Sequence, residues 1–312
     1  MMDRTISSFL QQLIVEKGFS RNTADAYRND LGQFWTFLQA QTNDDSHKDA
    51  NDENGSESES SKGSFTWATV DIEVLNKYIQ DLRIRKRYRD TTTARKVASI
   101  KSFFGFLSEN SIIAEDPTGP LRSPRIARVS PKFLSEEEVA LLLESAYKSG
   151  SNDGQRDAVI MELLYATGLR SGELVSLNLE DVDLSEACIR CRGKGSNERI
   201  VYLDSKALEK LGRYLRESRI ALLGHNRAES ALFVNQKGER LSRQWVWVIL
   251  KTCAQKAGIE QDISPNVLRH SFATHLLQSG ASLGQVQKLL GHSSISITRV
   301  YAHLTEGSVK KN

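Results

Sequence analysis

Pro117, Pro120, Pro124 and Pro131 crowd into one short stretch of a chain whose only other proline is Pro265. Proline lacks a backbone donor and fixes φ, so neither a helix interior nor a central strand can run through this stretch. Interleaved with Asp116, Thr118, Gly119, Ser123 and Ser130, it is predicted to be a linker over residues 111–131. The 312 residues then divide into two folded parts, in keeping with about 100–200 residues per domain.

The first part, residues 1–110, reads as four helices. Ile6, Phe9, Leu10, Leu13 and Ile14 recur at helical spacing. Ser20-Arg21-Asn22 offers a cap for a second helix running to about Gln41, and Asp71 starts a third. A fourth follows Asp90: Val97, Ile100, Phe104 and Leu107 share one face, and Thr92, Arg95, Ser99 and Ser102 the opposite one. Between the second and third helices, residues 42–63 hold seven acids against two lysines and no apolar side chain larger than Ala50. Such a tract buries too little to offset its ordering entropy and is expected to be a disordered insert.

The second part, residues 132–312, opens at Ser135-Glu136-Glu137-Glu138, a capping box. It is predicted to be mostly helical, broken by a hairpin in which Ala187 to Arg192 and Arg199 to Leu203 flank the turn Gly193-Lys194-Gly195-Ser196-Asn197. The fold class is therefore mainly α with one small β element.

No run of about 18 apolar residues could span a bilayer, and Met1 to Gly18 lacks the order of a secretory signal. Three cysteines form no disulfide framework, so the expected setting is the cytoplasm. Net charge is only +3, but outside the acidic insert 40 basic residues face 32 acidic ones, a net of +8. Arg83, Arg85, Lys86 and Arg87, with Arg125 in the linker, could neutralise phosphates. Thr92, Arg95 and Ser99 on one helical stripe offer what a helix in a major groove presents, although a charge run is also an ordinary solvated face.

Other pairings carry less. Cys188 and Cys191 invite a zinc or redox reading, but an offset of three on a strand sends them to opposite faces, and no second pair exists. His270 and His275 lie roughly 140° apart on a helix and are read as packed, hydrogen-bonded groups rather than metal ligands. Arg170 could simply pair with Glu173. Tyr301, four residues after Ile297 and beside Val300, could be an amphipathic core residue.

Taken together, Ala166-Thr167-Gly168-Leu169-Arg170-x-x-Glu173-Leu174, the Gly193-Lys194-Gly195 hairpin, Leu268-Arg269-His270-Ser271-Phe272-Ala273-Thr274-His275, Leu290-Gly291-His292 and Tyr301 resemble the tyrosine recombinase (phage integrase) family, with the Xer chromosome-dimer recombinases nearest. The resemblance spans almost the whole chain. It implies a SAM-like, core-binding helical domain and a catalytic domain that clamp a DNA duplex. Tyr301 would be the nucleophile that forms a 3′-phosphotyrosyl link, later attacked by the partner strand's 5′-hydroxyl through a Holliday junction. Arg170 and Arg269 would hold the scissile phosphate, Lys194 would be the general acid, His292 a phosphate donor and Glu173 a supporting group. The implied assembly is a homotetramer, or a heterotetramer with a paralogous recombinase, on two synapsed DNA sites at the nucleoid. No metal, nucleotide or other cofactor is implied.

Two departures stand out. The family usually has histidine where this chain has Asn266, an amide that can donate to phosphate but cannot take up a proton. His270 lies one turn on, but the family pattern has a histidine there as well, so a lowered rate and an acceleration by Asn266→His are expected. Only eleven residues follow Tyr301, against a longer helix in relatives, which puts docking of the tail on a neighbouring subunit in question. The alternatives are a DNA-binding accessory protein with weak cleavage, a mobile-element integrase, and a relaxing enzyme of topoisomerase type.

Overall fold

The structure is a computed structural model and describes residues 4–48, 66–126, 130–148, 150–193 and 198–309, with backbone alone for 42–48 and 303–309. The chain forms two compact units, Met1–Arg128 and Val129–Asn312. Each unit has its own core.

Helix α1 (Arg4–Val15) turns Ile6, Phe9, Leu10 and Leu13 inward, the face that their spacing predicts. Helix α2 (Arg21–Lys48) begins after Ser20, whose hydroxyl accepts the Thr23 N–H at 3.3 Å. It runs past the expected end near Gln41, so residues 42–48 of the acidic insert are helical; the rest of the insert, from residue 49, lies outside the described residues. No glycine or proline occurs between Gly32 and Gly55, and extending an existing helix is far easier than nucleating one. Helix α3 (Ile72–Gln80) is capped by Asp71, whose carboxylate accepts the Val74 N–H at 2.9 Å, and widens into a π-helical turn over Asp81–Arg85. Helix α4 (Asp90–Glu109) follows.

Aromatic rings fill the space between these helices. Phe103 of α4 meets Phe9 at 5.4 Å and Trp67 at 4.8 Å between centroids, both edge-on, the arrangement that aromatic quadrupoles favour. Val97, Ile100, Phe104 and Leu107 are buried as predicted. The polar stripe is narrower than its spacing suggested: Ser99 is fully buried and donates to its own helix, at Lys96 O. A small hydroxyl that bonds back to the helix can be enclosed without an unmet donor, so Ser99 has no surface to offer a ligand. Lys96 is buried too, and its ammonium lies 2.9 Å from Asp30 Oδ1 and 2.8 Å from Gln33 Oε1. Part of the expected linker also belongs to this unit, because Ile113 and Leu121 sit in its core.

In the second unit, the predicted capping box is present, with Ser135 and Glu138 bonding reciprocally at the start of α5 (Glu136–Tyr147). Helix α6 (Asn152–Thr167) is apolar around most of its girth and packs against several later helices. After it come α7 (Ser171–Ser176) and a sheet of β1 (Val182–Asp183), β2 (Cys188–Arg192) and β3 (Glu198–Tyr202). All pairings are antiparallel, from Cys188↔Tyr202 to Arg192↔Glu198 in the predicted hairpin. The two-residue β1 carries no periodicity that a sequence reading could use. Helices α8 (Ser205–Arg216), α9 (Ser218–Leu223), α10 (Arg243–Lys256), α11 (Pro265–Gln278), α12 (Leu283–Leu290) and α13 (Ile295–Val309) complete the unit. Among the described residues no helix is long and apolar enough to cross a membrane.

The Asp30 carboxylate is enclosed with Lys96, their side chains being 1% and 3% exposed, and it also pairs with Arg95. Removing one member of such a buried pair costs about 3–5 kcal/mol. Asp30→Ala is expected to lower the urea midpoint of the first unit's unfolding while leaving that of the second in place; an unshifted midpoint would show the pair to be dispensable.

Candidate active site

The turn between α6 and α7 places the first two site residues. Gly168 ends α6 in the left-handed region, φ 59°, and a Cβ there would lie 2.5 Å from Phe272 Cδ1 on α11. Glycine is therefore required both for the turn and for the close approach of α11. Arg170 then stands at the N-cap of α7, and Glu173 folds back to it. Glu173 Oε2 accepts the Arg170 N–H at 2.9 Å, and Oε1 accepts from Arg170 Nη1 at 2.9 Å. The Arg170–Glu173 pair foreseen from sequence exists, and the Arg170 side chain still keeps 44% of its surface open.

Glu173 has a second and more enclosed partner. Arg199 of β3 donates Nη1 to Oε1 at 3.0 Å and Nη2 to Oε2 at 2.8 Å, while its Nε donates to Leu289 O at 3.0 Å. It thereby ties the sheet, α7 and the end of α12 together. Gly291, which ends α12 with φ 63°, presses against the same guanidinium, since a Cβ there would meet Arg199 Nη1 at 3.0 Å.

Arg269 is buried on α11 and bridges two helix ends, donating Nη1 to Gly168 O at 2.5 Å and Nη2 to Leu290 O at 2.6 Å. Helix C-termini leave carbonyls unmet and carry partial negative charge, so a guanidinium there satisfies both. These bonds use two of its five N–H donors.

His292 follows Gly291 and is held through Nδ1, 2.9 Å from Thr298 Oγ1, while Gln287 Nε2 donates to its carbonyl at 3.2 Å. Tyr301 lies one turn beyond Thr298 on α13. Its ring is stacked with His292 at 6.3 Å between centroids and 10° between planes. Its hydroxyl is 2.8 Å from His270 Nδ1. The ring is 4% exposed and lies in a small cluster with Ala273, Val286 and Leu290. The inner face of α13 is thus Thr298 and Tyr301, whereas Ile297 and Val300, the residues that suggested an ordinary amphipathic pattern, are 48% and 43% exposed.

The charges in this place are unbalanced. Burial, with added repulsion from Arg170, pulls Arg269 down to about 10. Burial and then the nearby Arg269 and Arg170 pull His292 down to about 4, so its imidazole is neutral at pH 7. His270 is lowered by burial and by Arg269. Tyr301 is raised by burial, against the opposing pull of Arg269 and Arg170, so the phenol is neutral as well. Converging cations that destabilise one another make a site for an anion.

Arg170, Glu173, Arg269, His292 and Tyr301 are therefore brought together. Lys194, which follows β2 in sequence, lies outside the described residues. Asn266 is exposed on the first turn of α11, and its side chain makes no hydrogen bond to the described residues. His275 pairs with Tyr165 at 3.0 Å, away from Tyr301. Cys188 and Cys191 do face opposite ways, with Cys191 buried and its thiol pushed up to about 12 by that burial. In the first unit, Arg85, Lys86, Thr92 and Arg95 line one open groove with Arg28 and Tyr88. Arg83, Arg87 and Arg125 are exposed, Arg83 being paired with Asp90 at 3.2 Å.

Sequence reasoning missed Arg199 and Thr298. On β3, Ile200 and Tyr202 are exposed at 53% and 71%, while Arg199 shares the inward face with Val201, so hydropathy gave no sign of an inward-facing arginine. Thr298 could have been suspected from its offset of three from Tyr301, which puts both on one helical face.

Burial alone would raise the Glu173 carboxyl, but hydrogen bonds from Arg199 and from the Arg170 N–H hold it at about 2, against an ordinary 4.5. The folded state keeps the group ionised where the unfolded chain protonates it. Its contribution is complete above the ordinary value and is lost as pH falls toward the folded one. At 1.36 kcal/mol per unit this is about 3 kcal/mol. Glu173→Gln is expected to flatten the loss of stability between about pH 5 and 2, measured as urea midpoints across pH; identical slopes would show that the carboxylate is not clamped.

The sequence pattern of the phage integrase family matches residues 132–307, and that of the phage integrase N-terminal SAM-like domain matches residues 6–54. The chain is 40% identical to the tyrosine recombinase XerC of Roseiflexus castenholzii, over 98% of this chain and 91% of that protein. It is 39% identical to XerD of Oceanobacillus iheyensis, over 99% and 97%. Among solved structures, a XerH recombinase bound to a palindromic difH substrate in a post-cleavage complex superposes with a TM-score of 0.71 at 21% identity, covering 98% of this chain and 93% of that one. A lambda integrase dimer bound to a COC′ core site gives 0.66 at 14% identity, over 96% and 95%. With relatives this similar over nearly its full length, the chain belongs to the phage integrase family, as a Xer-like site-specific tyrosine recombinase.

Proposed function

We propose that this chain cuts and rejoins duplex DNA at Tyr301, exchanging strands between two paired sites as Xer enzymes resolve chromosome or plasmid dimers. The observation that carries the reading is the Tyr301 phenol set within electrostatic reach of Arg269 and Arg170, the second of which repels the first. A phosphodiester between Arg170 and Arg269 would relieve that repulsion, and arginine keeps its charge while the phosphorane forms. Glu173 holds Arg170 in place and Arg199 holds Glu173. His292 donates its Nε2–H to a phosphate oxygen, which requires Nδ1 to accept; the Thr298 hydroxyl supplies that proton. Tyr301 Oη attacks phosphorus, the 3′-phosphotyrosyl ester forms, and the leaving O5′ takes a proton from Lys194. The 5′-hydroxyl of the partner strand then attacks the ester and frees Tyr301, so bond energy is kept through a Holliday junction.

Substrate binding by the first unit rests on Arg83, Arg85, Lys86, Arg87, Thr92 and Arg95, with Arg125 beyond them. Ser99 is withdrawn from this set by its burial. The XerH and lambda integrase structures named above contain recombinases on DNA, which supports a duplex as the ligand. A tetramer, of this chain alone or with a paralogue, follows from exchange between two sites, and the nucleoid is where such sites lie.

On a nicked duplex carrying the chain's footprinted site, wild type is expected to form a covalent adduct resistant to denaturant and sensitive to protease. Tyr301→Phe is expected to form none while binding equally well. An adduct in that variant would sink the assignment, and no adduct from wild type at saturating DNA would favour an accessory binding protein.

A further inference from the structure

We infer that His270 is the proton acceptor for Tyr301, a role that rests on Tyr301 being the nucleophile. The phenol needs one. With an ordinary pKa near 10, only about 0.1% is ionised at neutral pH, and burial raises this one further. Asn266 has no atom that takes a proton at neutral pH, and it makes no contact with the hydroxyl.

Two imidazoles flank the Tyr301 ring. His292 lies against its face, with parallel planes, and its Nδ1 is committed to Thr298. His270 meets the hydroxyl itself, Nδ1 to Oη at 2.8 Å, within the range that proton transfer needs. The groups that face His270 are Arg269 from its own helix, Tyr301 from α13 and His292 from the segment between α12 and α13. Burial and Arg269 favour the neutral ring, and in its Nε2–H tautomer Nδ1 accepts from the phenol. Arg269, which favours phenolate, therefore also joins burial in keeping the base unprotonated.

The step balances without a further reactant. The Tyr301 Oη–P bond forms as the Oη proton passes to His270 Nδ1, and the P–O5′ bond breaks as O5′ is protonated from Lys194. In the second stage the incoming 5′-hydroxyl gives its proton to the Lys194 amine as its O5′–P bond forms, and the imidazolium returns its proton to Oη as the Oη–P bond breaks.

The test uses the full chain on the nicked duplex under single-turnover conditions, with DNA affinity measured in parallel. His270→Asn can still bond to the hydroxyl but cannot take its proton, and His270→Gln serves should that variant not fold. Each is expected to cut about 10²–10⁴-fold more slowly at neutral pH with DNA binding kept. The rate of the variants should climb with pH, as hydroxide replaces the imidazole, whereas wild type should level off above the imidazole titration. A merely structural role would slow the reaction without changing the shape of that profile.

A duplex with sulfur in place of the scissile bridging O5′ has a leaving group that departs without protonation. The His270 defect should persist on it. Rescue by sulfur would make His270 an acid rather than a base, and a wild-type rate in either folded variant would remove it from the reaction; both overturn the inference. With the acceptor at His270, Asn266→His should change the rate little, contrary to the expectation from sequence, and a large acceleration would mean that the acceptor is missing. A persistent adduct in Tyr301→Phe would instead sink the nucleophile assignment, whatever His270 does.

Discussion

One buried guanidinium organises the catalytic unit. Arg269 spans the carbonyl ends of α6 and α12, two helices that would otherwise close on unmet acceptors and the negative ends of their dipoles. Both helices end in glycines with positive φ, which lets the chain turn away and leaves the carbonyls aimed at the cation. The segments leaving these ends carry Arg170 and His292. A structural contact at the centre of the fold thus sets the spacing of groups that would otherwise depend on loops.

Around that bridge runs a chain of charge. Glu173 is bonded on both oxygens, to Arg170 and to Arg199, and Arg199 reaches on to Leu289 O. A carboxylate with so many donors stays ionised, and an arginine facing it loses little mobility when a ligand arrives, because it is already ordered. The excess positive charge that remains is costly in the empty protein and useful only when an anion enters. Rigidity and electrostatic strain are here two descriptions of one arrangement.

Much of this could be read from the chain before any coordinates. Helices with long-period apolar faces, the capping box at Ser135 and the proline-rich divide all follow from local rules, and they placed most elements. The spacing of Arg170, Glu173, Arg269, His292 and Tyr301 is distinctive in the sequence, and the fold brings these five residues together. The misses are of a different kind. Ser99 looked exposed because helical periodicity gives direction but not depth, and α4 is enclosed more widely than its apolar stripe. Arg199 and Thr298 act through contacts 26 and 6 residues away in sequence, and no local pattern marks an inward-facing arginine on a strand that exposes Ile200 and Tyr202. The link from His270 to Tyr301 likewise arises only when α11 and α13 pack together.

Thr298 and Tyr301 ride on the same face of α13, one gripping an imidazole and the other supplying the phenol. Any displacement of that helix would withdraw the phenol and, in the same motion, release the imidazole that Thr298 holds. The two side chains share a single mechanical handle, so the phenol and the imidazole are held or released together.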